Sequence, residues 1–173
     1  SVLRQTSARL PWLLIGMLGG IGNSMILGNF DTTFAAHPEM ALYIPLIGGT
    51  GGNVGTQSSA LVVQGLANSS LDANNTWKQI LKESVVALIN ATIISMLVYI
   101  YNFVRFGPTA TVSYSVSLSL FAVVMFASIF GTLVPMTLEK LKIDPAIATG
   151  PFISITNDII GMMLYMGITV LLS

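Results

Sequence analysis

The chain has no cysteine and very little charge, and both absences limit what it can be. Without cysteine, disulfide bonds and thiolate metal sites are excluded. Charged residues make up 8% of the chain, against about 25% in a typical soluble domain. The net charge is zero, which argues against nucleic acid as a partner. Because hydrophobic residues make up 53% of the sequence, most of the surface is predicted to face membrane lipid.

Five apolar segments of about helix length can be drawn along the chain. A membrane-spanning helix needs about 20 apolar residues, so five spans with short loops fill the 173 residues. We predict an all-α membrane protein in which residues 1–173 form a single transmembrane domain, with no room for a separate soluble one. The predicted spans are Pro11–Phe30, Met40–Ala67, Glu83–Val104, Val112–Leu138 and Pro145–Leu172.

The distribution of basic residues predicts the orientation of these spans, since loops rich in Lys and Arg stay in the cytoplasm. With the N-terminus in the cytoplasm and the C-terminus outside, only Arg105 of the seven basic residues lies outside. The glycines of the second span lower its hydropathy. Without this span, however, the basic residues would be scattered over both sides of the membrane. We therefore expect a multi-pass protein of the cell inner membrane.

A single acid lies in the middle of the fifth segment. Asp158 is the only formally charged residue between Pro145 and Leu172, and a carboxylate at the bilayer centre costs on the order of 2.5–3.5 kcal/mol. Such a cost predicts a function, and a cation that crosses the membrane is the natural ligand. Helical spacing places Asp158 on a small, polar face. The other members of that face are Gly150, Ser154, Asn157, Gly161 and Tyr165.

Two alternatives remain for this face. It could be a packing seam, because glycine and serine permit helices to approach closely, although a seam does not need an aspartate. Asn157 is as well suited to an interhelical hydrogen bond as to a functional role.

The second segment carries a dense run of glycines from Gly48 to Gly55. Such a run invites either a break in the helix or a close backbone approach, and both are tolerated at membrane depth only where the backbone is buried or lines a cavity. Carbonyl, amide and carboxylate oxygens suit hard cations such as Mg²⁺ and Ca²⁺. The alternative is a small-residue packing motif. The residues that share one face of this segment are Gly49, Asn53, Thr56, Gln57 and Gln64.

Two further acids lie at the ends of spans. Glu83 opens the third span, and Asp144 directly precedes Pro145 at the start of the fifth. Asp144 is also suited to an ordinary helix N-cap. Asp144 and Asp158 would be roughly 21 Å apart along a helix, so they are expected to mark the mouth and the middle of one path and not a single chelate.

These residues resemble those of a known family. The run Pro45–Ser58, PLIGGTGGNVGTQS, resembles the second transmembrane helix of the MgtE magnesium channels and their animal solute-carrier relatives. The Lys82-Glu83 pair is similar to the opening of that family's third helix. The fifth segment resembles that family's fifth helix at Asp144-Pro145-Ala146, Gly150-Pro151, Asp158 and Gly161.

The resemblance implies a homodimer with an ion path along its two-fold axis, between the second and fifth helices of both subunits. Asp158 would meet hydrated Mg²⁺ at a central site with Asn53, and Asp144 and Glu83 would bind cations toward the cytoplasmic end. The implied cargo is Mg²⁺, with Mn²⁺ and Ca²⁺ as further candidates, and the other partners are membrane lipid and a second copy of the chain. Typical bacterial members of the family also carry N-terminal cytoplasmic sensor domains, and we expect none of these within residues 1–173. The implied pore lining comprises Gly49, Gln57, Gly150, Ser154, Asn157 and Gly161.

Other functions are compatible with a buried acid. A cation-coupled exchanger that counter-transports Na⁺ or H⁺ could use the same Asp158, and a scaffold subunit could hold it as a structural residue. An intramembrane aspartyl protease needs two carboxylates that share a proton. Since only one aspartate lies at mid-membrane, we do not expect an enzyme.

Overall fold

The computed structural model describes the backbone of residues 1–173 and all side chains except those of residues 146–148. Every regular element among these residues is helical, which confirms the predicted all-α class. Short 3₁₀ helices at Pro38–Tyr43 and Ala73–Asn75 lie in the connections. The α-helices are α1 (Val2–Gly28), α2 (Asp31–Ala36), α3 (Ile44–Ala67), α4 (Thr76–Phe106), α5 (Thr111–Lys140) and α6 (Pro145–Leu172).

Four of these helices are long and apolar enough to cross a membrane, namely α1, α4, α5 and the part of α6 from Thr149 onward. They make this a multi-pass membrane protein. The glycine-rich α3 is less apolar, but its 24 residues give it a length of about 36 Å. This exceeds the roughly 30 Å of a bilayer's hydrocarbon core. That α3 is the fifth span remains a prediction.

The glycine run does not break α3, which is a continuous helix from Ile44 to Ala67. The run was expected to cause either a break in the helix or a close approach of the backbone to a neighbouring helix, and the structure shows the close approach. A continuous helix satisfies its backbone hydrogen bonds internally, as a lipid environment demands. Gly51 and Gly55 are buried on one side of the helix, whereas Gly49 is exposed on another.

The bundle is organised around α5, which packs against α3, α4 and α6. Its buried side chains run almost its whole length and include Val116, Leu120 and Val124. Small residues line the contact with α4, where Ala87 and Ala91 are fully buried. Such residues let helices approach closely in the membrane, so α5 serves as the support on which α3 and α6 are held.

One end of the bundle is fastened by tyrosines. The hydroxyl of Tyr165 on α6 donates to the backbone carbonyl of Met40 (2.8 Å), and the hydroxyl of Tyr43 donates to Oδ1 of Asn102 on α4 (2.5 Å). All four residues are buried. These bonds fix the segment that leads into α3 and therefore fix the position of α3 beside α6.

Candidate functional site

The helices α3 and α6 cross at a glycine. Gly55 has no side chain, and a Cβ atom there would lie 2.9 Å from Cγ2 of Ile153 and would overlap the Asn157 amide. One turn away, Nδ2 of Asn157 donates to the backbone carbonyl of Gly51 at 3.3 Å. The crossing therefore requires glycine at 55 and is fixed by a side-chain hydrogen bond to the backbone.

A third helix closes this crossing from behind. A Cβ atom on Gly131 of α5 would lie 2.8 Å from the carbonyl oxygen of Gly55 and 3.2 Å from its Cα. Here the obstacle is backbone, which cannot move without separating the helices. The glycines at 55 and 131 therefore bring α3, α5 and α6 to within backbone contact at one level of the bundle.

The opposite side of α3 carries the polar residues of the predicted face. Asn53 and Gln57 lie on either side of Gly55 in sequence and are exposed on the single chain. Gly49 and Gln64 are exposed as well. Two amide side chains are thus presented on the side of α3 that faces away from the crossing, outside the packed interior of the subunit.

The predicted face of α6 is divided by the packing. Gly150, Ser154 and Asp158 are exposed, so the acid lies on the open side of the helix. Asn157 and Gly161 are buried: Asn157 bonds to α3, and a Cβ on Gly161 would meet Val123 of α5 at 3.8 Å. In the single chain these two residues lie behind the exposed face and support it.

The neighbouring acids differ in their surroundings. Glu83 does not open its helix but lies about two turns into α4. It is half-buried, and its Oε1 accepts a hydrogen bond from Oγ of Ser58 on α3 at 2.7 Å. Asp144 is exposed immediately before α6. Among the described side chains, no three His, Cys, Asp or Glu residues cluster so as to hold a metal ion. The four predicted metal-binding residues therefore do not converge on one point within a single chain.

The helix α1 lies against α6 and has no buried residue. Its closest approach is at Gly19, where a Cβ atom would lie 2.6 Å from Cγ1 of Ile155. One turn further along α1, Oδ1 of Asn23 is buried and has no hydrogen-bond partner in the part of the chain that the structure describes. Because Ile155 lies one turn before Asp158, α1 flanks the helix that presents the acid.

Sequence comparison decides the family to which this arrangement belongs. A model of the MgtE family, described as divalent cation transporters, matches residues 44–168, from α3 into α6. The chain belongs to the MgtE family. It is 33% identical over 160 residues to the magnesium transporter MgtE of Bacillus subtilis, an alignment that covers 92% of this chain and 35% of the relative.

Two further MgtE relatives give similar values. The magnesium transporter MgtE of Thermus thermophilus is 33% identical over 165 residues, covering 95% of this chain and 36% of the relative. That of Enterococcus faecalis is 30% identical over 166 residues, covering 96% and 36%. The chain thus spans about a third of the length of these curated MgtE relatives.

Sequence reasoning missed two residues that fix α3 against its neighbouring helices. Gly131 was not singled out, although Ala127 and Gly131 form the spacing of small residues that is typical of close helix contacts. Ser58, which donates to Glu83, was treated only as part of the glycine-rich run. Its partner lies on another helix, so no local pattern could have identified the pair.

Proposed function

We propose that this chain is the ion-conducting part of a magnesium transporter and that it passes hydrated Mg²⁺ across the membrane between α3 and α6 of two subunits. The observation that carries the proposal is the exposure of Asp158 on a membrane-spanning helix that packs against α3, whose exposed side presents the amides of Asn53 and Gln57. The relatives named magnesium transporters support Mg²⁺ as the cargo.

The exposed acid supports assembly of two copies. If this face met lipid, each carboxylate would cost on the order of 2.5–3.5 kcal/mol, in addition to the cost of the two amides. A second subunit related by a two-fold axis places the same face opposite itself, because such an interface is self-complementary. Two copies of Asp158 then share one water-filled path, which removes them from lipid.

This arrangement suits the chemistry of Mg²⁺. The ion gives up its water reluctantly and keeps several waters when it binds to proteins. A path lined by carboxylate and amide oxygens can hold the hydrated ion through its waters. Two Asp158 carboxylates balance one divalent charge, whereas without the ion they repel each other. Asn53 supplies neutral oxygen at the same level of the crossing.

The buried residues of the predicted set, Asn157 and Gly161, support the exposed face of α6 from inside the subunit. Asn157 is a positioning residue, since its bond to Gly51 fixes the orientation of α6 one residue before Asp158. Gly161 faces α5, where a Cβ atom would make an ordinary contact with Val123. Glu83 and Asp144 serve as relay positions toward one end of the path, where weaker sites let the ion leave.

Substitution of Asp158 tests the proposal. In a strain without its own magnesium importers, Asp158→Ala is expected to abolish magnesium-dependent growth while the protein still reaches the membrane. Glu139→Ala is the matched control, because Glu139 is an exposed acid at the end of α5 with no proposed role. Growth of the Asp158→Ala strain at the wild-type rate would refute the assignment.

The transport mechanism is tested separately. A channel is expected to give single-channel currents in a planar bilayer with Mg²⁺ as the only permeant cation. The rival, a cation-coupled exchanger, requires counter-transport of Na⁺ or H⁺ and saturates at slow turnover. If flux in proteoliposomes stops when both counter-ions are removed from the opposite side, the exchanger replaces the channel.

A further inference from the structure

A polar cleft lies at the end of the bundle where α4 begins, away from Asp158. It has a volume of about 280 Å³ and is bounded by the connection between α3 and α4, the first two turns of α4, and Met136 of α5. Its polar lining residues are Ser70, Asp72, Asn75, Lys78, Gln79 and Lys82. The proposed ion path uses none of them.

The cleft carries net positive charge. Lys78 and Lys82 are one helical turn apart, so their side chains extend from the same side of α4. Among the described side chains, neither lysine has an ion-pair or hydrogen-bond partner. Asp72 is the one acid in the lining, and its Oδ1 accepts the backbone N–H of Asn74 at 3.0 Å. Two lysines against one aspartate leave one positive charge without a counter-ion.

The length of α4 places this charge at the level of lipid headgroups. The stretch 84–104, between Glu83 and Arg105, carries no charge and is about 31 Å long as a helix, which matches the hydrocarbon thickness of about 30 Å. Lys82 and Lys78 then lie about 1.5 and 7.5 Å beyond Glu83. The headgroup layer extends about 5–7 Å on each side of the hydrocarbon. Lys82 therefore lies within this layer and Lys78 at its outer edge, from where the long, flexible lysine side chain reaches the phosphates.

Two neighbouring features fit a lipid ligand. Trp77 precedes Lys78 and is 71% exposed, as expected of an aromatic ring at a membrane surface. The rim of the cleft is fixed by hydrogen bonds, because the N–H of Leu71 donates to the carbonyl of Gly65 at 3.0 Å. A preformed basic cleft at headgroup depth favours an anionic headgroup over a zwitterionic one, because in the latter a choline cation offsets the phosphate.

We propose that this cleft binds the phosphate of an anionic phospholipid, with Lys78 and Lys82 as its cationic ligands. Ser70, Asn75 and Gln79 surround the same space with neutral hydrogen-bonding groups. The lipid tails extend along the apolar surface of α4, where Val85 and Ile89 are exposed. The site is independent of the ion path, so its test needs no transport measurement.

Lipid retention measured by native mass spectrometry tests the proposal. The whole chain is purified in detergent and titrated with phosphatidylglycerol or phosphatidylcholine. Lys78→Gln/Lys82→Gln is expected to weaken phosphatidylglycerol binding on the order of a hundredfold, because each of the two charge-assisted contacts contributes about a factor of ten. Binding of phosphatidylcholine should not change, and Lys78→Arg/Lys82→Arg should retain affinity for phosphatidylglycerol.

The matched control is Lys140→Gln/Lys142→Gln. These two exposed lysines lie at the same end of the bundle, after Met136 on α5, but outside the lining of the cleft. An equal loss of phosphatidylglycerol in the control would overturn the site, since it would indicate general surface charge. Displacement of the lipid by low millimolar inorganic phosphate would likewise overturn a lipid ligand in favour of a soluble anion.

Discussion

A methyl group at Gly55 is expected to force α3 and α6 apart. In Gly55→Ala the added Cβ would lie 2.9 Å from Cγ2 of Ile153 and inside contact distance of the Asn157 amide. Neither neighbour moves easily, because Ile153 is β-branched and the Asn157 amide is bonded to the Gly51 carbonyl. Overpacking of this kind costs about 1–3 kcal/mol.

Gly52→Ala makes the same chemical change three residues earlier, where an added Cβ meets nothing within 4 Å. Both variants replace glycine by alanine inside α3, so each gains about 1 kcal/mol of helix propensity, and the gain cancels between them. We expect Gly55→Ala to be less stable than Gly52→Ala by about 1–3 kcal/mol.

Reversible unfolding in a titration of SDS against mild detergent measures this difference. Because α3 would move relative to α6, Gly55→Ala should also lower Mg²⁺ flux in proteoliposomes, whereas Gly52→Ala should retain it. Equal unfolding free energies for the two variants would refute the close crossing of α3 and α6 at Gly55.

Two further predictions concern the contacts around this crossing. Ser58→Ala removes the hydroxyl that donates to Glu83 at 2.7 Å. Because hydrogen bonds to charged groups contribute about 1.5–3 kcal/mol, the SDS titration should show a loss of unfolding free energy near the lower value for this half-buried pair. An unchanged unfolding midpoint would contradict the hydrogen bond. Gly19→Val places a side chain against α6, where a Cβ atom would already lie 2.6 Å from Cγ1 of Ile155. Backbone hydrogen exchange should therefore become faster in α1 but not in α5. The control is Gly20→Val, at whose position a Cβ atom meets nothing within 4 Å, and equal exchange in both variants would count against the docking of α1 on α6.

The sequence pattern predicted the start of α6 but not that of α1. The fifth predicted span and α6 agree at Pro145–Leu172 because Asp144 and Pro145 mark the same boundary in sequence and in structure. The first span was predicted from Pro11, but α1 begins at Val2 and contains Pro11. A helix can extend beyond the lipid, where charged residues such as Arg4 and Arg9 are solvated, so hydropathy does not register its start.

Periodicity predicted which residues share a face but not which faces are covered. Asn157 and Asp158 are neighbours in sequence and were assigned to one face, yet Asn157 is buried against α3 and Asp158 is exposed. A rotation of about 100° per residue separates them, and the position of the adjacent helices decides which one is covered. That position depends on contacts such as Gly131 with Gly55, which are distant in sequence.

Two copies of Asp158 should face each other across a path that holds a divalent cation. The most direct measurement is a crystal structure of the assembled protein grown with Mn²⁺, with anomalous scattering recorded at the manganese edge. A peak on the two-fold axis between the two Asp158 carboxylates, separated from them by waters, is the predicted result. If the two carboxylates point into separate, packed protein interiors and the axis carries no peak, the proposed ion path between the subunits is wrong.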